Sequence, residues 1–406
     1  MTRRTVGRRA EIGIVYLTGL AQGLALVTFP AASNIFTSPD FHDLSSSEYG
    51  TMFLPMIICA ILASSLGGAL ARRWSLKRIF VLGLVFNMTS MAVLALSNAF
   101  VATHTMAYGC LLAAMAALGA GFGATITALN TYATSFFPGK SDTALTALHA
   151  MLGIGTALAP LLLGVFVSLG LWWGDPIAIL GFFLALGFAS LVPQLEGPPA
   201  AQEPRPGGPL ALLRGLPQRI YGYAAIAVLY GICETIFGNW ATIYLHEGKG
   251  LSVQWAGFAL ATFWSMVTAG RVLMAAVAVW LSPQRIYLAM PILICGAFLI
   301  IPMVRGDTGN VIAFGVAGLA CSAFLPLSIS FATQEFPQMV EVVSGGMMAA
   351  FMLGFGVGAY GVGPLREVGG LSLSTIYTGT SGFAAGMAIL AFFLIKPRWA
   401  RILSLG

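Results

Sequence analysis

Charged side chains are scarce in this sequence: Asp, Glu, Lys and Arg make up 8% of its 406 residues, against about 25% in a soluble domain. So few cannot cover a water-facing surface, which excludes an ordinary soluble enzyme or binding module. Histidine occurs 4 times and cysteine 5 times. Cys59, Cys110, Cys233, Cys295 and Cys321 stand singly inside apolar stretches without ligand-like spacing. They read as small hydrophobes, which excludes a disulfide framework and a metal cluster. Phosphate-cradling loops, nucleotide fingerprints and nucleophile–base pairs are missing as well. The many glycine pairs lie within apolar helical stretches and act as packing devices. No cofactor, no ATP-driven pumping and no enzymatic chemistry is expected.

Apolar residues are abundant instead. AVILMFWYC residues reach 58% and the mean hydropathy is +0.88. Runs of about 20 apolar residues between short polar breaks predict an all-α polytopic membrane protein. The ten-residue alternation of a transmembrane barrel does not occur. Twelve spans are expected, at approximately 11–36, 47–71, 78–98, 105–134, 142–168, 176–195, 218–245, 252–280, 286–304, 309–334, 342–364 and 373–396. A proline- and glycine-rich stretch follows span six. The expected division is an N-terminal six-helix half at 1–195, a cytoplasmic linker at 196–217 and a C-terminal six-helix half at 218–406.

The formal charge is +6, but its distribution argues against nucleic acid. Arg3, Arg4, Arg8 and Arg9, then Arg72, Arg73, Lys77 and Arg78, then Arg205, Arg214 and Arg219, then Lys396, Arg398 and Arg401 fall on alternate loops. The opposite loops carry Asp40, Asp43, Glu48, Asp175, Glu247 and Asp307, with Lys249, Arg305 and Arg366 as their strong bases. Positive-inside topology then places both termini in the cytoplasm. The basic N-terminal stretch leads into an uncleaved first span rather than a signal peptide, because its apolar run is long and is the first of many.

The halves repeat each other faintly. Phe137-Pro138 followed by Gly153-x-Gly155 parallels Phe336-Pro337 followed by Gly354-x-Gly356. Gly19-Leu20-Ala21-Gln22 in span one likewise parallels Gly231-Ile232-Cys233-Glu234 in span seven. Two pseudo-symmetric six-helix halves around a linker indicate a secondary transporter with its site near mid-membrane. Small residues let such helices approach closely and slide.

With these features the chain resembles the major facilitator superfamily over its full length. The loop after span two, Gly68-Ala69-Leu70-Ala71-Arg72-Arg73-Trp74-Ser75-Leu76-Lys77-Arg78, is similar to the superfamily pattern G-x-L-A-D-R-x-G-R-K-R. Arg72 stands where the family has an aspartate and Ser75 where it has a glycine. Two segments resemble the fucose permease branch and its sodium-dependent glucose transporter relatives. One runs from Asn130 through Phe137-Pro138 and Ala147-Leu148-His149 to Gly153-x-Gly155; the other holds Tyr230, Glu234, Trp240 and Tyr244-Leu245, with Gly270-Arg271 in the next span. The resemblance implies proton symport through acids in spans one and four. This chain has Gln22 in span one and no acid within span four, so its coupling must be arranged differently.

Glu234 is the only carboxylate in the middle of a long apolar segment. A charge there costs roughly 2.5–3.5 kcal/mol on insertion scales, so an intramembrane acid is a functional candidate. It stands about 16 residues into span seven, roughly 24 Å along the helix. There it can exchange a proton as a cavity alternates between wet and dry, or, more plainly, fix helix packing. Arg271, in span eight, cannot shed its charge. It reads as a cap on helix carbonyls, a partner of Glu335 or Glu341, or a gate and counter-ion to Glu234. His149, in span five, reads as a packing residue or as a titrating group in proton coupling. By analogy with the family, His149 and Arg271 lie near a cytoplasmic gate with Arg72 and Arg73.

Substrate candidates are the polar groups of spans one, four, seven and ten: Gln22, Asn130, Glu234, Asn239 and Trp240, with Ser328 and Ser330 behind them. Amides donate and accept, and an indole packs on a sugar face, which suits a hydroxyl-rich solute. Each amide reads equally as interhelical glue. The leading expectation is a proton-coupled symporter of a small polar solute such as a sugar, working by alternating access as a monomer in a bacterial inner membrane. Sodium coupling stays open, because a carboxylate with amide oxygens also suits that ion. Proton-driven export of lipophilic or cationic compounds, suggested by the same Glu234, by 17 methionines and 27 phenylalanines and by a comparatively apolar first span, and a non-transporting membrane sensor or scaffold are the alternatives.

Overall fold

The computed structural model describes residues 2–137, 139–191, 195, 217–277 and 280–403; within this range, the side chains of 2–7, 67–72, 142, 275, 341 and 396–403 are not described. The linker expected at 196–217 lies outside the described residues apart from Pro217, as does the Arg72 side chain. The described residues are predominantly helical and contain no strand. Twelve helices are long and apolar enough to cross a bilayer. The first six spans are Arg8–Ala31, Ser46–Leu66, Leu76–Phe100, His104–Phe136, Thr143–Ser168 and Gly174–Leu191. Spans 7 to 12 are Gln218–Asn239, Val253–Met274, Pro283–Met303, Asp307–Glu335, Val342–Glu367 and Leu373–Ile395. The chain divides into two compact units, Met1–Gln202 and Glu203–Gly406.

Local sequence explains the helix starts. Before span 2, Ser45 accepts from the Glu48 backbone N–H while Glu48 accepts from the Ser45 N–H at 2.9 Å, a reciprocal capping box. Span 9 opens with Pro283, whose missing N–H costs nothing at a helix start. Gly306, at φ +75°, supplies the left-handed turn into span 10 that a side chain would strain.

Within the first unit, span 1 lies along spans 5 and 6, and span 4 lies along spans 2 and 3. Within the second, span 7 lies along spans 11 and 12 while span 8 lies along span 10. Glycine makes the closest of these contacts possible. A Cβ on Gly23 would overlap the Leu152 carbonyl and one on Gly155 the Leu20 carbonyl. In the second unit a Cβ on Gly231 would overlap the Phe351 carbonyl and one on Gly354 the Val228 carbonyl. The same internal geometry occurs twice, and it corrects the sequence parallel. Gly23, not Gly19, answers to Gly231, a shift of four residues or about one helical turn. Gln22 therefore answers to Tyr230, and Glu234 answers to Leu26.

Spans 4 and 10 answer to each other in the same way: Gly119 abuts the Met56 carbonyl and Gly318 the Phe263 carbonyl. Span 4 is one unbroken helix, His104–Phe136. Span 10 is two helices, Asp307–Cys321 and Phe324–Glu335, separated by Ser322 and Ala323. Pro326 accounts for the break. It has no N–H for the carbonyl four residues back, that of Ser322, and its ring crowds that carbonyl.

The turn between spans 1 and 2 is closed by aromatic packing. The His42 ring, 1% exposed, sits edge-on to Phe36 and Trp172 and its Nε2 lies 2.9 Å from Ser97 Oγ. Burial, with the nearby His104 second, pushes the His42 imidazole down to about 4. Asp175, expected as a loop charge, is instead fully buried in the first turn of span 6, with the Thr28 hydroxyl 3.3 Å from one carboxyl oxygen.

Candidate functional site

Glu234 is 8% exposed in the second unit, surrounded by elements that bring polar groups to it. Tyr230, one helical turn earlier on span 7, is its side-chain neighbour. The Tyr230 hydroxyl donates to the Cys321 carbonyl at 2.8 Å. That carbonyl belongs to the last residue of the first helix of span 10, beside the break. Arg271 on span 8 acts electrostatically on both Glu234 and Tyr230. Gly270 beside it holds span 8 against the break, since a Cβ there would lie 2.5 Å from Ser322 Oγ. Three spans thus meet at one buried carboxyl and one interrupted helix.

Arg271 is exposed, and it makes no ion pair within 4.0 Å of any carboxylate among the described residues. The partnership offered by Glu335 does not form. Glu335 takes the Arg219 guanidinium instead, with Nη2 at 3.1 Å, and the Tyr223 hydroxyl at 3.0 Å. Arg219 also donates to the Leu394 carbonyl, tying the start of span 7 to the ends of spans 10 and 12. The Glu341 side chain lies outside the described residues.

The corresponding place in the first unit is a closed amide cluster. Gln22 is fully buried; its Oε1 accepts from Asn87 Nδ2 at 2.8 Å and lies 2.8 Å from Thr125 Oγ1, while its Nε2 is 3.3 Å from Asn87 Oδ1. Its hydrogen-bonding capacity is directed to spans 3 and 4. Asn130, further along span 4, is half-buried, and its Oδ1 is shielded from water with no hydrogen-bond partner. Asn239, 2% exposed, closes span 7. Trp240 is fully buried and donates to the Ala359 carbonyl at 3.2 Å, so its indole is held against span 11. Ser328 is buried and donates to the Phe324 carbonyl, and Ser330 accepts from Gln334. His149 is half-buried on span 5, and Arg73 is exposed at the end of the span 2 helix. Sequence reasoning singled out Glu234 and Arg271 but missed Tyr230's bond to the broken helix; Pro326 within span 10 was the available signal.

The profile described as Major Facilitator Superfamily matches residues 13–359. Among solved structures, the chain is similar to a mutant form of the nucleoside transporter NupG, at 15% identity and a TM-score of 0.76, covering 96% of this chain and 99% of that one. It is similar to the E. coli fucose:proton symporter FucP at 16% identity and a TM-score of 0.60, covering 96% and 98%. A bacterial homologue of the human lysosomal transporter Spinster, in an inward-facing and occupied conformation, gives 14% identity and a TM-score of 0.72, covering 97% of each chain. Comparison with curated proteins gives no match.

Proposed function

This chain belongs to the Major Facilitator Superfamily, a transporter rather than an enzyme, and from that premise we propose that it couples proton movement to uptake of a small polar solute such as a sugar. The observation that carries the reading is Glu234, a carboxyl 8% exposed beside Tyr230 and the span 10 break. Low dielectric favours the neutral acid, and access to water favours the carboxylate. A carboxyl alternately wet and dry therefore takes up a proton on one side and releases it on the other. The relative described as a fucose:proton symporter supports the solute class and the coupling ion.

Arg271, exposed and within electrostatic reach, balances the carboxylate while the proton is absent. Asn130, with an unsatisfied amide oxygen, offers an acceptor to a solute hydroxyl. Asn239 and Glu234 extend that polar surface from span 7. Gln22 and Trp240, whose polar groups are bound within their own units, hold the walls in place. His149, Arg73 and Arg72 serve the gate. The protein works as a monomer in a bacterial inner membrane with both termini in the cytoplasm.

The test is internal pH in proteoliposomes while sugars, polyols and lipophilic cations are added outside, for the wild type and Glu234→Gln. Acidification driven by a sugar or polyol and absent in the variant is the expected result. Equal acidification by the variant would remove Glu234 as the proton carrier. Labelled-solute exchange without proton movement would turn the reading to sodium or to facilitated diffusion.

A further inference from the structure

We propose that Tyr230 is a proton-operated tie: it fastens the break in span 10 while Glu234 carries a proton and releases it when the proton leaves. This rests on the proton-carrier reading of Glu234 and adds what the proton does. A tyrosine hydroxyl has one hydrogen to donate. In this structure that hydrogen goes to the Cys321 carbonyl, which can only accept, at 2.8 Å. The hydroxyl then has only its oxygen to offer Glu234, so a bond between the two needs a protonated carboxyl as its donor. Tyr230 stands one helical turn before Glu234, and the chain assigned to the protonated state is Glu234 O–H to Tyr230 Oη–H to Cys321 C=O.

Removing the Glu234 proton reverses one link. The carboxylate is an acceptor only, and a hydrogen bond to a charged acceptor is about twice as strong as one to a neutral carbonyl. The Tyr230 hydrogen rotates about its C–O bond to the carboxylate, with no covalent bond to tyrosine broken. The Cys321 carbonyl then loses the Tyr230 hydrogen. It belongs to a helix end already interrupted before Pro326, so the tie governs a hinge rather than a rigid rod.

The groups facing Glu234 fit this assignment. Tyr230 comes from its own span, Arg271 from span 8 and Cys321 from span 10. Span 11 packs against this part of span 7 through Phe351, Gly354 and Gly358, none of them titratable. Span 12 contributes Tyr377, whose hydroxyl is engaged by the Ile236 carbonyl at 2.9 Å. The answering position in the first unit, Gln22, faces an unbroken span 4 and has no acid one turn beyond it, where Leu26 stands. Among the described residues, only the second unit has the acid, the tie and the break together.

Amide hydrogen exchange of the segment 319–327, corrected for the intrinsic exchange rate and followed against pH, tests the tie in the full-length protein. Wild type should be protected at low pH and lose about fivefold in protection, the worth of one hydrogen bond, as Glu234 deprotonates. Glu234→Gln, whose amide N–H still donates to Tyr230, should stay protected at every pH. Tyr230→Phe keeps the ring against Phe324 and Phe351, 5.8 and 6.0 Å away, and should be unprotected at every pH. Its Glu234 carboxyl stretch in difference infrared spectra should shift, because the acceptor is gone. Wild-type protection that ignores pH overturns the tie without any variant, as does a Tyr230→Phe that keeps the wild-type pH profile. Loss of proton coupling in Glu234→Gln beside an unchanged Tyr230→Phe removes the tie alone. Intact coupling in Glu234→Gln removes the proton-carrier reading itself.

Discussion

Single residues decide how closely these helices approach and which of them tolerate acid. Gly354 accepts no Cβ without displacing the Val228 carbonyl, whereas a Cβ on Gly164 of span 5 meets nothing within 4 Å. Gly354→Ala should therefore cost about 1–3 kcal/mol through overpacking. Gly164→Ala should be neutral or stabilise by about 0.5–1 kcal/mol by removing a flexible helix residue. Thermal unfolding of both variants in detergent checks the contrast. His42 adds a pH effect of fixed sign. Its folded value, about 4, lies below the ordinary 6.5, so between those values the unfolded chain binds more protons. The stability contributed by the neutral ring is complete above about pH 6.5 and is lost as pH falls toward about 4. Lowering pH from about 7.5 to about 5.5 should cost wild type about 1 kcal/mol through this group, and His42→Gln should lose that part of the slope. An unchanged slope in the variant would show that the ring does not titrate across folding.

The element with most consequence is span 10. Pro326→Leu returns an N–H to the Ser322 carbonyl and removes the clash, so the two helices should join and gain about 1–3 kcal/mol. Transport turnover should fall while the fold becomes more stable, because a continuous helix has lost its hinge. Solute flux and unfolding measured on the same preparation check this, and a faster transporter would contradict it. The break was readable in the sequence, as a proline between apolar residues. The partner of the break was not. The sequence parallel set Gly19 beside Gly231, one turn away from the match that packing makes, and so aligned Gln22 with Glu234 instead of with Tyr230. Helical sequence repeats are nearly degenerate under a one-turn shift, since residues four apart share a face. Carbonyl contacts at Gly23 and Gly231 remove that degeneracy.

At the scale of the molecule, each unit carries its own closely packed helix pairs and its own polar cluster. Two separately expressed chains divided at 202/203 should consequently each insert and together restore transport to a substantial fraction of wild type, measured as solute uptake in cells. Failure of either half to insert would show that the helices of one unit need the other to fold.

The sequence by itself determined the membrane class, the twelve spans and the presence of an intramembrane acid, because bilayer thickness and the scarcity of charge act on local stretches of chain. The structure decided what the acid touches. It placed Tyr230 between Glu234 and Cys321, gave Glu335 to Arg219 rather than Arg271, enclosed Gln22 among Asn87 and Thr125, and buried Asp175 against Thr28. Each of these contacts joins different spans except the turn from Tyr230 to Glu234. Hydrogen bonds between spans depend on the rotation and depth of each helix, which small-residue packing sets and no local pattern encodes.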